Sequence, residues 1–416
     1  MTGIARLSEG QAARLLQTAG AIRQQAQRVL ARAEAGQLSS FTLDLDALDG
    51  VVSRVIATTR ADYPDLSVPL HARWRHFTHA GHDRWAAVRA SQLAEVPPAE
   101  LCRIEIELAL VSVLLDAGAG PDWAYHDRIT GSRVARSEGL ALASVNMYVD
   151  GRFSADPNAA PLRVDGAVLR AMTAEVLGAG FRAGPDNPLA GLDGRASLLA
   201  ALGQAITAQP TVFPGDRLGG FADHCMAAAT DGALAAPQVL ALVLAALGPI
   251  WPGRAQLGGV SLGDCWALPE LAEANDPASG WVPFHKLSQW LTYSLVEPLR
   301  RVGLAVHDLD GLTGLAEYRN GGLLIDGGVL IPRDPAVLGR VLTPDDPVIV
   351  SWRALTVALL DRIAASMRER LGLSADTLPL GAVLQGGTWM AGRLIAREQR
   401  ADGSPPLNIA SDGTVF

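Results

Sequence analysis

The stretch VPFHKLSQWLTYSLVEPLRR, residues 282–301, carries the period that decides the fold. Its apolar positions 284, 287, 291, 295 and 299 recur every three or four residues, so on a helix they line one stripe. The same period recurs along the chain. Ser8-Glu9-Gly10-Gln11 offers an N-cap before an amphipathic run to about Ala35, and helical patterns cover roughly 44–60, 98–117, 165–178, 233–247, 284–301 and 350–371. Strand signals are short and few: 141–149, 322–331 and 347–350, with too few partners for a large sheet. The expected fold class is mostly α, one large helical fold with few short strands and no internal repeat. A loose boundary near 150–165 is expected to separate an N-terminal helical lobe, 1–160, from a C-terminal lobe, 161–416, that carries the chemistry; one continuous domain is the alternative.

Composition narrows the function. The chain has 416 residues, 49% of them hydrophobic, enough for a large buried core. Its net charge of −8 supplies no basic face for a phosphate backbone, which argues against nucleic acid as a partner. The most apolar stretch, Ala233 to Trp251, is interrupted by Pro237, Gln238, Gly248 and Pro249 and falls short of the ~20 clean residues of a spanning helix, so no membrane partner is expected. The opening MTGIARLSEGQAARLLQ has no apolar core of a secretory signal. The three cysteines, Cys102, Cys225 and Cys265, are scattered without a CxxC. A cytoplasmic location is expected.

Of the 35 basic residues, 34 are arginine and one, Lys286, is lysine. Either that lysine survived by chance in an arginine-biased chain, or its position needs a compact ammonium whose pKa can fall on burial. It lies off the apolar stripe, on a face with Trp290 and Tyr293. Long connections rich in Gly, Pro, Asp and Trp lie between the helices, and loops of that length in a compact protein are usually functional or disordered. One of them, HDLDGLTGLAEYRNGG (307–322), packs Asp308, Asp310, Glu317 and Arg319 between glycines; it reads as a ligand-presenting loop or as a solvated acidic turn. In LGDCW (262–266), Asp264 stands beside Cys265 and Trp266, and no local histidine is in place to activate the thiol. The stretch 71–85, HARWRHFTHAGHDRW, holds His71, His76, His79 and His82, a spacing that matches no recognisable zinc pattern, while Arg73 and Arg75 suit an anion. No metal and no cofactor are expected.

Taken together, SVPLHARWRHF, VSVLLDAGAGPDWAY, RSEGLALAS, LGDCW, PFHKLSQWLTYSL, DGLTGLAEYRNGGL, WRALTVALLD, GGTWMAGR and the terminal SDGTVF resemble the uracil-catabolism proteins of bacteria and fungi, a conserved domain of unknown function. The match runs from about residue 67 to 416. PFHKLSQWL followed by LTGLAEYR is also distantly similar to the queuosine salvage proteins, nucleotide N-glycosylases related in fold to helix-hairpin-helix DNA glycosylases. On that pattern Lys286 matches a lysine borne on a helix, and Glu317, Tyr318 and Arg319 match an Asp-Tyr-Arg loop, with Glu in place of Asp. The resemblance implies cleavage of an N-glycosidic bond, here in a ribosylurea or its 5′-phosphate, releasing urea and the sugar. A carboxylate suits the oxocarbenium-like transition state of that reaction.

The expected catalytic residues are therefore Glu317 and Lys286. Arg319, Tyr318, Asp264, Asp310, His285 and Trp266 are expected to contact substrate, as are Arg73, Arg75, Trp352, Arg353, Trp389 and, from the C-terminal tail, Asp412. The expected partner is a small ribosylated urea or a nucleotide-derived molecule. Two alternatives stand: an amide or ureido hydrolase working through Cys265 or a metal at the histidine cluster, and a nucleotide-binding regulatory protein without catalysis.

Overall fold

The structure is a computed structural model that describes residues 7–251 and 254–410. It is mostly helical, and among the described residues every strand belongs to a two-stranded pair. Helix forms at the expected positions, as in Pro98–Leu114, Ala236–Leu247, Lys286–Arg301 and Pro347–Leu371. The run from Ser8 is two helices, Glu9–Leu16 and Ala19–Glu34, because the Thr18 hydroxyl accepts from the Ala21 N–H and starts a new helix. Thr173 does the same for Val176, so the 165–178 pattern is split into Gly166–Arg170 and Ala174–Phe181.

The strand expectations need correction. Residues 141–149 lie in the helix Arg136–Val149, and 347–350 open the helix Pro347–Leu371. Of 322–331, the first half belongs to the helix Tyr318–Asp326 and only the end lies in the strand Leu330–Pro332. The reason is burial on all sides: 139–145 and 349–360 are buried without a break. A helix with no solvent face shows no amphipathic period, and a short apolar run then reads equally well as strand.

The chain forms two compact units, each assembled from separate stretches. The first comprises 7–71, 254–289 and 308–410. Its central helix is Pro347–Leu371, opened by the Asp346 carboxylate accepting from the Val348 N–H with Pro347 in the first turn, and closed by Gly372 in the left-handed conformation. Ala19–Glu34 and Ala47–Asp62 pack against it, as does Tyr318–Asp326. Tyr318–Asp326 also packs on Trp389–Gln399, and Gly392 makes that approach possible, since a Cβ there would run into the Arg319 carbonyl. Phe41–Leu43 pairs with Leu330–Pro332, and Cys265–Ala267 with Trp281–Pro283, both antiparallel.

The second unit comprises 72–251 and 290–307. Its buried helix Pro98–Leu114 carries two carboxylates inward: Glu105 pairs with Arg301, and Glu107 with Arg217. Arg195 donates to the carbonyls of Leu115, Ala117 and Gly118, at and just past the end of that helix. Contacts between distant stretches, such as Ala19–Glu34 on Pro347–Leu371, hold the first unit together across the order of the chain. No described helix is long and apolar enough to cross a membrane.

Candidate active site

Glu317 is the N-cap of the helix Tyr318–Asp326, with extended backbone, and both carboxylate oxygens are used. One accepts from the Arg319 N–H at 2.7 Å, the other from the Asn320 N–H at 2.5 Å. Such a cap satisfies orphan donors and places negative charge at the positive end of the helix. The side chain is nonetheless buried, at 8% exposure. Burial pushes the Glu317 carboxyl above its ordinary pKa, outweighing the two backbone donors and the positive charges of Lys286 and Arg319, which pull it down. The lone lysine of the chain and the cap carboxylate thus act on one another.

Lys286 opens its helix, and its own N–H donates to Asp264 Oδ2 at 3.0 Å. Asp264 is a hub. Arg353 donates to both of its oxygens at 2.8 Å, and Trp266 Nε1 donates to Oδ1 at 2.7 Å. Burial alone would raise the Asp264 carboxyl, but the Arg353 charge and these donors hold it well below the usual carboxylate range. The Asp264 carbonyl accepts from Phe284 and His285, which turns the chain sharply; His285 sits in the left-handed region at φ 43°. The His285 ring is buried, which holds its pKa down, and the neutral ring can donate from Nε2 to the Leu16 carbonyl at 3.0 Å.

Two further links join these parts. Arg353 reaches from Asp264 to the carbonyl of Ala316, the residue before Glu317, at 3.4 Å, with its guanidinium 3.9 Å from the Phe284 ring centre. Gln289, one turn after Lys286, donates to the Thr313 hydroxyl at 2.7 Å and accepts from the Thr313 N–H at 2.9 Å. Sequence reading missed Gln289 and Thr313. Their only signal was Gln289 lying one turn beyond Lys286 on the same helix.

The other expected site residues are distributed as follows. Arg319 donates to the Gly403 carbonyl at 2.8 Å and lies over the half-buried Tyr318 ring. Asp310 pairs with Arg368 and accepts from the Leu380 N–H. Trp352 is buried with Nε1 donating to the Gly321 carbonyl, and half-buried Trp389 has the tilted His71 ring and the Arg393 guanidinium beside it. Arg73 and Arg75 belong to the second unit, where Arg73 is buried against Asp116 and Arg75 pairs with Glu297. Asp412 lies outside the described residues. His71 contacts Gln385, His76 contacts Ser137 and His79 contacts Ser132. Among the described residues no three His, Cys, Asp or Glu side chains group as metal ligands. Cys265 is buried, and burial together with the neighbouring Asp264 charge pushes its thiol pKa well up.

The fold and this centre define a mostly helical protein in which a buried lysine and a buried glutamate lie on segments that one arginine–aspartate pair ties together. The chain belongs to the family described as "Protein of unknown function (DUF1688)", whose model matches residues 15–416. It is 39% identical over 402 residues to Protein urg3 of Schizosaccharomyces pombe, covering 95% of this chain and 96% of that one. It is 36% identical over 417 residues to Uracil catabolism protein 4 of Lachancea kluyveri, covering 92% and 93% respectively.

Proposed function

We propose that this protein acts in uracil catabolism by hydrolysing the N-glycosidic bond of a ribosylurea or its 5′-phosphate. The observation that carries the reading is the buried Glu317 carboxylate, fixed by two backbone N–H groups within the field of the chain's only lysine. In this reaction the C1′–N bond breaks with its electron pair leaving on urea, and water forms the new C1′–O bond. Charge at the anomeric carbon rises in between, so a carboxylate held rigidly beneath the sugar stabilises the transition state more than the ground state. A raised pKa makes Glu317 the better base for the water's proton, and a proton delivered to the urea nitrogen completes the balance. Lys286 contacts the sugar or the departing urea. Tyr318, Trp266 and Trp389, each partly exposed, supply faces for the sugar.

The kinship with a protein named for uracil catabolism supports the pathway. A thiol mechanism is disfavoured by the burial and raised pKa of Cys265, since the thiolate is the nucleophile. The test is product analysis with synthetic ribosylurea, free and 5′-phosphorylated. Sugar and intact urea in equal amounts are expected. Ammonia and carbon dioxide in place of urea would establish the ureido hydrolase instead, and tight binding without turnover would establish a regulatory protein.

A further inference from the structure

We infer that Arg353 and Asp264 are positioning residues that set Lys286 against Glu317, and that neither is a substrate contact. This rests on the reading of Glu317 and Lys286 as the working pair. Asp264 has little left to offer a ligand: its carboxylate already takes two donors from Arg353, one from Trp266 and one from the Lys286 N–H. Arg353 is equally committed, with two bonds to Asp264 and a third to the carbonyl of Ala316. The ion pair therefore touches the first residue of the lysine's helix at one end and the peptide preceding the glutamate at the other. Both catalytic backbones are referenced to one planar guanidinium, whose fixed fork a lysine could not reproduce. A buried pair of this kind adds little net stability but specifies geometry when all its polar groups are used. Gln289 and Thr313 form a second, neutral brace between the same two segments, so losing the ion pair should loosen the lysine rather than unfold its helix.

The chain's single lysine makes the inference testable without any substrate. Protein labelled with ¹³C at the lysine ε-carbon gives one side-chain resonance, that of Lys286. The experiment is a cycle of four full-length proteins: wild type, Glu317→Gln, the double variant Asp264→Asn/Arg353→Met, and all three changes together. The double variant removes both charges at once, which avoids leaving one buried and unpaired. Far-ultraviolet circular dichroism and thermal melting confirm that each is folded, and Trp266→Phe, which removes one donor to Asp264, provides a milder variant if the double one is not. In the wild-type background Glu317→Gln should shift the Lys286 resonance and its titration midpoint. In the Asp264→Asn/Arg353→Met background that shift should shrink by half or more. An equal shift in both backgrounds overturns the positioning role. Kinetics with ribosylurea provide the second arm: kcat should fall at least tenfold with KM within about twofold, whereas a raised KM with an unchanged lysine cycle would make Asp264 and Arg353 substrate contacts. If ribosylurea is not turned over at all, the functional reading fails and the resonance cycle still decides the positioning.

Discussion

Under the proposed function, chemistry and folding make different demands on the Glu317 carboxylate. As a cap, Glu317 needs only an oxygen acceptor; as a catalytic carboxylate it needs charge. Glu317→Gln keeps one acceptor but turns an NH₂ group toward a backbone N–H, so a stability loss of about 1 kcal/mol is expected from the weakened cap. Turnover should fall by more than tenfold, ~1.4 kcal/mol of transition-state stabilisation, and a variant retaining more activity than that removes Glu317 from the mechanism. Lys286→Arg keeps the charge and should be comparably damaging, because the planar guanidinium is larger and is hydrogen-bonded differently. Wild-type activity in that variant would mean that the lone lysine is an accident of composition. The raised pKa of Glu317 has a defined sign for catalysis. In the proposed mechanism the active form is ionised, so kcat/KM should fall on acidification with a midpoint above the ~4.3 of a free glutamate, and an acid limb at or below that value would contradict the burial that raises it.

At the level of elements, close approach and open space predict opposite effects for the same substitution. Gly392 lies where the helix Trp389–Gln399 crosses Tyr318–Asp326, and a Cβ would strike the Arg319 carbonyl, which is backbone and cannot swing away. Gly392→Ala should cost roughly 1–3 kcal/mol and, by pushing on the turn that Glu317 caps, reduce kcat as well. Gly50 is exposed inside the helix Ala47–Asp62, and a Cβ added there would meet nothing within 4 Å. Gly50→Ala should stabilise by about 0.5–1 kcal/mol through reduced backbone freedom in the unfolded chain. Thermal and urea melts of the two variants check both signs. The helix Tyr318–Asp326 also shows where sequence reading faltered: GGLLI is apolar and glycine-rich, and it reads as strand until its burial beneath Trp352 is known.

Across the whole molecule, the interleaved composition of each unit has a direct experimental consequence. A fragment spanning 161–416 would hold Lys286, Glu317, Asp264 and Arg353, and so every residue of the proposed centre. It would lack Ala19–Glu34, which packs on Pro347–Leu371, and the Leu16 carbonyl that receives His285. That fragment alone should show no cooperative thermal transition and no turnover, with both restored on co-expression with 1–160. A stable, active 161–416 fragment would instead support the boundary near 160 that the sequence suggests.

Taken by itself, the sequence determined the helical class, because the three-four spacing of apolar residues is local and survives without knowledge of any partner. It also singled out Lys286 and, thirty-one residues on, Glu317 as candidates for the chemistry. Only the tertiary structure decided that Asp264 and Arg353, 89 positions apart, share one ion pair, and that Arg353 also reaches the peptide before Glu317. Only it separated the fully buried helices from strands. The physical reason is the same in both cases: an ion pair between distant positions, and a helix without a solvent face, leave no periodic trace in the chain, since what specifies them is the neighbour that folding brings alongside.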